Sequence, residues 1–311
     1  MIVSHSPEQG VSLAPHTSLK VGGPADWYSE PPDLDTLRSD LAFAEAHQLP
    51  ILLVGGGSNL LVADAGIEGI VIRPLLQGHT LDIDGSVAHV RAYAGTSLGG
   101  LSRSLAKQGW SGLEWAATVP GCVGGAVVNN AGAFGSSIAE SLVSATLLRS
   151  VRQLQSYSGQ DLGYAYRTSV LKRGEIQGAV VIDATFRLSR VDPAIARAKI
   201  QGFQAQRSAS QPRLLSAGSV FANPPGGYSG RLLEATGAKG LRQGQAEIST
   251  QHANFIVNHG GALADHIFQL VADAQERVWR QFGIWLHPEI ELVGRWTDDQ
   301  RNRLSKPSGK P

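Results

Sequence analysis

Cysteine is nearly absent: Cys122 is the one thiol in 311 residues. A lone thiol cannot close an internal disulfide, which fits a reducing compartment, and the fold must rest on burial instead of covalent staples. No CxxC and no paired Cys/His spacing occurs, so the usual zinc sites are excluded and no metal is expected. Long apolar runs are missing as well; all fall far short of the roughly 20 residues that a membrane helix needs. The opening MIVSHSPEQG lacks the basic-then-apolar order of a secretory leader. Neither sign of charge is in excess, 27 Lys+Arg against 26 Asp+Glu giving +1. Basic residues are scattered except near the C-terminus, so neither nucleic acid nor a membrane is expected as a partner. A soluble, cytoplasmic monomer is the expectation.

What the chain has in quantity is glycine, 37 residues, above the usual share of about 7%. These glycines have no period. They gather at 55–57, 121–125, 132–135, 226–230 and 258–261, between apolar runs. Such clusters indicate close approach of backbone to a ligand, not a solvated linker. The length predicts two or three domains and a core large enough to stand without staples.

Periodicity supplies the elements. Asp33 caps a helix over 33–47, with Leu34, Leu37, Leu41 and Ala44 on one face. Pro50 breaks it, and Ile51 to Val54 reads as a short buried strand running into the first glycine cluster. Alternation over 79–95 predicts a hairpin turning at Asp84-Gly85, and Thr96 is placed to cap the next helix, which Gly109 ends. Strand-like runs follow at 143–149 and 179–188, then a helix over 192–205 and the polar stretch from Arg207 to Ser216. A long amphipathic helix is expected over 262–282 with Gly283 as its stop, and a last strand from Glu289 to Val293. The polar tail after Trp296 is expected to be disordered.

Five segments carry chemistry. Gly55, Gly56, Gly57, Ser58 and Asn59 follow an apolar strand; successive exposed N–H groups with two side-chain donors suit a pyrophosphate. A plain tight turn explains the same residues about as well. The spacing is not GxGxxG and no long helix opens behind it, which argues against a Rossmann fingerprint. Thr118, Val119, Pro120, Gly121, Cys122, Val123, Gly124 and Gly125 lead to Asn129 and Asn130, an apolar wall of small residues that a flat ring system can approach. Arg167, after Tyr164 and Tyr166, offers a rigid fork for a carboxylate or phosphate. Ser219 lies between Gly218 and an apolar run, with Asn223 before a proline turn, and this is not the GxSxG elbow. Glu289 opens the last strand. Alone, each of the last three is as well read as a surface arginine, a turn serine and an exposed acid. His252 and His259 read as loop hydrogen-bonders, and Cys122 as a small apolar filler.

Taken in order, the segments resemble the UDP-N-acetylenolpyruvoylglucosamine reductases, also called UDP-N-acetylmuramate dehydrogenases. The resemblance rests on HTSLKVGGPAD at 16–26, VGGGSNLLV at 54–62, GLEWAATVPGCVGGAVVNNAGAFG at 112–135, YRTS at 166–169, GSVFANPP at 218–225, GRLLEATGAKGLRQGQAEISTQHANFIVN at 230–258 and HPEIELVG at 287–294. The short interval between Arg167 and Ser219 is similar to the family's shorter class, which lacks an inserted substrate-covering loop.

That resemblance implies an α+β fold of the vanillyl-alcohol-oxidase/PCMH type, with two α+β flavin-binding subdomains and a C-terminal α+β substrate domain. The expected division is 1–75, 76–190 and 191–295, with 296–311 as tail. It implies non-covalent FAD held by Gly55, Gly56, Gly57, Ser58, Asn59, Thr118, Val119, Pro120, Gly121, Gly124 and Asn129. NADPH is the implied co-substrate, and UDP-N-acetylglucosamine enolpyruvate the substrate, reduced in peptidoglycan synthesis. By the same resemblance, flavin N5 gives hydride to C3, Ser219 gives a proton to C2, Arg167 and Glu289 polarise the enolpyruvyl carboxylate, and Tyr166 and Asn223 touch substrate. Two positions depart from the family pattern: Ala222, where lysine is common, and Asn129, where an apolar residue is usual. Two rival readings use part of the same pattern: another flavin enzyme on this fold, sharing 54–62 and 112–135, and a non-catalytic nucleotide-sugar-binding module.

Overall fold

The computed structural model describes residues 6–149, 151 and 153–305. Packing groups the chain into two units that interleave along it. One comprises Tyr28–Gly56 and Ile70–Arg207 with the residues up to Glu8; the other comprises Gln9–Trp27, Gly57–Gly69 and the chain from Ser208 onward. The expected division at 75 and 190 cuts the chain only into consecutive stretches, whereas the second unit draws on three separate ones.

The first unit opens with α1 (Leu34–Ala46), where Asp33 is extended and its carboxylate accepts from the Thr36 N–H at 2.8 Å. Leu37, Asp40 and Ala44 are its buried positions. Asp40 tolerates burial because the Ser29 hydroxyl donates to it at 2.5 Å, in keeping with the rule that buried polar groups are paired. The strand Ile51–Leu53 runs parallel to Ile67–Ile72, with Leu52 opposite Val71. It was expected to be buried, but Ile51 and Leu53 are 45% and 37% exposed. The strand is the edge of its sheet, and Ile51 and Leu53, two residues apart, share the face that is left uncovered.

The body of this unit is an antiparallel sheet in the order Leu154–Ser158, Leu142–Leu148, Val180–Arg190, Val87–Tyr93, His79–Asp84. The hairpin turns at Asp84–Val87, where Gly85 takes φ +56°. Alternate residues Ala88, Val90 and Ala92 face inward with Ala184, Phe186 and Leu188, and these pack with Leu98, Leu101 and Leu105 of α2 (Leu98–Lys107). Each fully buried large apolar side chain contributes about 1.5–3 kcal/mol. Ser97, not Thr96, caps α2: its hydroxyl accepts from the Gly100 N–H at 3.2 Å. Thr96 instead binds both the N–H and the carbonyl of Gly78 at 3.0 Å, so the helix begins one residue later than expected. A short 3-10 helix, Glu114–Thr118, leads to α3 (Val123–Asn129). The helix expected over 192–205 is α4 (Pro193–Ser210), which takes in the start of the polar stretch.

In the second unit Leu60–Val62 pairs in parallel with Glu291–Val293, and a small antiparallel sheet joins Arg242–Gln243, Ala246–Ile248 and Ile256–Asn258. Helices α5 (Ser229–Ala235) and α6 (Ala264–Phe282) complete its core. On α6 the buried stripe includes Ile267, Leu270, Val271, Ala274 and Val278, and Gly283 at φ +66° stops the helix. The tail corrects the expectation of disorder. Trp296 is 7% exposed and packs on Phe268 with ring centroids 5.3 Å apart. Thr297 then caps α7 (Asp298–Arg303), which Arg303 ties to Asp273 of α6 at 2.6 Å. A capping box and a buried indole outweigh the polar composition here. The end of the tail, 306–311, lies outside the described residues.

Candidate active site

The first glycine cluster leaves the strand Ile51–Leu53 at Val54, whose N–H still donates to Ile72 at 2.9 Å. Beyond it, no acceptor among the described residues takes the N–H of Gly55, Gly56 or Gly57. The turn lies on the second cluster, backbone against backbone. A Cβ at Gly56 would stand 2.6 Å from Gly121 Cα, and one at Gly55 would stand 2.5 Å from Cys122 Sγ. Space alone requires glycine at Gly56, where the obstacle is backbone; at Gly55 it is one side-chain sulfur that could turn aside. Gly57 needs it twice over, since its φ is +60° and a Cβ would strike the His16 carbonyl.

The second cluster is itself pinned. Gly121 O accepts from Leu98 N–H at 3.1 Å, Val123 N–H donates to Thr96 at 2.9 Å, and Gly124 N–H donates to Ala94 at 2.8 Å. Thr118 Oγ1 and Trp115 Nε1 are buried without a hydrogen-bond partner among the described residues. A buried polar atom left unpaired costs about 1–3 kcal/mol, so each calls for an explanation. The free N–H groups of Gly55 and Gly56, the Gly121 backbone packed against them and the unsatisfied Thr118 hydroxyl of the same unit fit a phosphate-bearing planar cofactor. Asn129 is committed within the unit: its NH2 donates to Gly125 O at 3.0 Å and its oxygen accepts from Lys172 Nζ at 2.7 Å. Asn130, at φ +44°, donates to Ala165 O at 2.9 Å and accepts from Ala139 N–H at 3.1 Å.

Asn130 thereby steadies the turn that carries Arg167. Ala165 and Thr168 exchange both backbone hydrogen bonds at 3.2 Å, and Arg167 at the corner is left-handed, φ +56°. A non-glycine residue in that region stores about 1–3 kcal/mol of strain, which clusters at functional positions. The Arg167 Nη2 donates to Gly132 O at 2.6 Å, and the guanidinium lies 5.4 Å from the Tyr166 ring centre. Tyr166 is 59% exposed. Tyr164 is the buried one; its hydroxyl donates to Val127 O at 3.0 Å, and burial pushes its ionisation well up.

In the second unit, Ser219 and Glu289 lie on neighbouring segments. Val220 between them donates to Asn254 O at 2.9 Å and accepts from Glu289 N–H at 2.7 Å. Asn254 adds two side-chain bonds to Phe221, at 2.8 and 2.9 Å, and is itself buried. Ser219 is half-buried and bridges Phe255 through its backbone. Glu289 is tied to the first glycine cluster's far end: Asn59 Nδ2 donates to Glu289 O at 3.0 Å, and Glu291 N–H donates to Asn59 O at 2.8 Å. Asn223 is exposed, and its oxygen accepts from Ser229 N–H at 3.0 Å at the start of α5. Ala222 adds no charge beside it; its carbonyl accepts from the Ser229 hydroxyl at 2.5 Å.

Comparison with known proteins then settles the lineage. The family model described as the UDP-N-acetylenolpyruvoylglucosamine reductase C-terminal domain matches residues 211–293, and an FAD binding domain model matches 25–153. A reductase of that name from Chloroflexus aggregans is 44% identical over 283 residues, spanning 90% of this chain and 95% of its own. The chain belongs to the UDP-N-acetylenolpyruvoylglucosamine reductase family. A Synechococcus reductase is 43% identical over 294 residues, with 94% and 92% covered. The crystal structure of the Thermus caldophilus UDP-N-acetylenolpyruvylglucosamine reductase superposes with a TM-score of 0.78 at 34% identity, covering 93% of this chain and 99% of that one. The fold is accordingly the α+β vanillyl-alcohol-oxidase type of FAD-binding fold. Among the described residues no helix is long and apolar enough to cross a membrane.

Sequence reasoning missed the groups that hold these residues in place. Arg73, whose Nε donates to Gly55 O at 3.2 Å, had no signal beyond standing directly after an apolar strand. Lys172 and Asn254 were equally silent, because each acts on a partner distant in sequence.

Proposed function

We propose that the protein is an NADPH-dependent flavoenzyme that reduces the enolpyruvyl group of UDP-N-acetylglucosamine enolpyruvate to UDP-N-acetylmuramate in peptidoglycan synthesis. The observation that carries the reading is the backbone coupling of Ser219 and Glu289 through Val220, in the segment matched by the family's C-terminal domain model. Non-covalent FAD, when bound and reduced by NADPH, would supply the hydride that C3 receives. Gly55, Gly56, Gly57, Ser58 and Asn59 offer donors for its phosphates, and Thr118 to Gly121 with Gly124 offer the wall and the unsatisfied hydroxyl that its ring can meet.

This chain's own residues do the rest. Arg167, pre-set by its strained turn, binds the substrate carboxylate, and Glu289 helps polarise it. Hydride arrival at C3 leaves negative charge that spreads onto that carboxylate. Ser219 then gives its hydroxyl proton to C2, so the double bond gains two hydrogens in all. A serine is a weak acid, and the transfer works only because the enolate is strongly basic and held within hydrogen-bond reach. Tyr166, exposed beside Arg167, and Asn223, whose NH2 end remains available, are further substrate contacts.

The test follows NADPH oxidation by its absorbance. Oxidation should depend on the enolpyruvyl sugar nucleotide, and Ser219→Ala should still be reduced by NADPH while turnover falls by about 10²–10⁴. No flavin absorbance after FAD is added would sink the reading. Reoxidation by oxygen alone would point to a different flavin enzyme on the same fold.

A further inference from the structure

We propose that Arg73 is a positioning residue that fixes the orientation of the Gly55–Gly56 peptide, so that the Gly56 N–H faces the cofactor phosphate. This role presupposes the function proposed above and acts through one peptide plane. Arg73 Nε donates to the Gly55 carbonyl at 3.2 Å. In a trans peptide the C=O and the following N–H point in opposite directions. Anchoring the oxygen on the Arg73 side therefore turns the Gly56 N–H away from it, and no described acceptor takes that N–H.

An anchor is needed because both flanking residues are glycines. Glycine accepts either sign of φ at little cost, so the two residues' own backbone preferences do not set this peptide's orientation. A flipped peptide would put a carbonyl oxygen where a phosphate expects a donor, turning an attraction into a repulsion.

Arg73 is built to hold still. Its backbone N–H donates to Ser29 O at 2.8 Å, directly after the strand that pairs with Ile51–Leu53. Its Nη1 donates to Glu30 Oε1 at 2.8 Å, and the same oxygen accepts from the Tyr28 hydroxyl at 2.5 Å. Tyr28 also hydrogen-bonds the guanidinium. Burial works against the charge on Arg73, but these two partners outweigh it and keep the guanidinium protonated. Half-exposed Arg73 and Glu30 are thus locked by each other and by a tyrosine, a rigid fork used for a geometric purpose.

The experiment compares binding of FAD and of riboflavin, which lacks phosphate, to apoprotein by equilibrium titration. Arg73→Gln should raise the FAD Kd about tenfold, the size of one hydrogen bond to a charged group, and leave the riboflavin Kd unchanged. Arg73→Lys keeps the charge but loses the fork, and should behave like the glutamine variant. Tyr28→Phe deletes one hydroxyl and should raise the FAD Kd about twofold to threefold without touching riboflavin; it carries the test if Arg73→Gln does not fold. An unchanged FAD Kd in the variants would overturn the proposal, as would a parallel rise for riboflavin, or full retention in Arg73→Lys. Wild-type protein that binds no FAD would instead sink the functional reading.

Discussion

A methyl group is the smallest probe of the glycine turn. Gly56→Ala would set a Cβ 2.6 Å from Gly121 Cα, where only backbone can yield. Overpacking of this kind costs about 1–3 kcal/mol. The expected outcome is a lower urea midpoint together with a weaker FAD titration, both measured on apoprotein. Gly135, where the added Cβ meets nothing within 4 Å, carries a positive φ of +84° that Gly56 lacks, so it is no neutral control; Gly202, open and inside α4, should respond the other way, its alanine variant raising the midpoint by helix propensity. At this scale the sequence was informative wherever function requires the lack of a side chain. Gly55–Gly57 and Gly121–Gly125 announce themselves by composition. Arg73 and Asn254 do not, because what they contribute is the direction of a peptide group, which no residue pattern encodes.

Among the elements, α6 has Leu263 at its N-cap, which cannot accept, and its local help is His266 Nδ1, which accepts from the Leu263 N–H at 3.1 Å. Its first N–H groups, Ala264 and Asp265, both donate at 2.9 Å to the carboxylate of Asp64, some two hundred residues earlier. A remote cap must follow the ordinary energetics, so Asp64→Ala should cost about 0.5–2 kcal/mol. The urea midpoint checks it, with Asp64→Asn losing less because one acceptor remains. Helices and the hairpin were legible from period and punctuation: Asp33, Gly85 and Gly283 stand where they were expected to stand. Boundaries were less so. Thr96 and Ser97 are equally good caps by residue type, and only the Gly78 loop, which claims the Thr96 hydroxyl, decides between them. The tail misled because its composition is polar, while its order comes from a buried indole, the Thr297 cap and the ties of Gln300 and Arg303 to α6.

For the molecule as a whole, acid should act in two stages. Burial, reinforced by Lys239, holds the His252 imidazole below its usual value of 6.5, and its Nδ1 accepts from Asn254 N–H at 3.2 Å, a bond that needs the neutral ring. A depressed folded-state value means that this contribution is whole above about pH 6.5 and is lost as pH falls toward the folded value. Glu114 acts lower down. Burial would raise it, but the Ser111 hydroxyl at 2.6 Å and Gly112 N–H at 2.7 Å outweigh that and draw it below 4.5. Its stabilisation is present above pH 4.5 and fades beneath. Thermal unfolding between pH 8 and 5 should therefore show a decline beginning near 6.5 that His252→Gln removes; an identical profile in the variant would dismiss the first stage.

The interleaving of the two units also sets a timetable for synthesis. Residues 9–27 leave the ribosome early, yet the stretch from Ser208 onward that completes their unit emerges about 180 residues later. At 5–20 residues per second, that delay is roughly 10–40 s. Throughout it, the apolar side chains of Leu13, Leu19 and Val21, which end up nearly sealed from water, have no finished core to enter. The nascent chain thus carries this apolar segment unsheltered until the later stretch arrives to cover it.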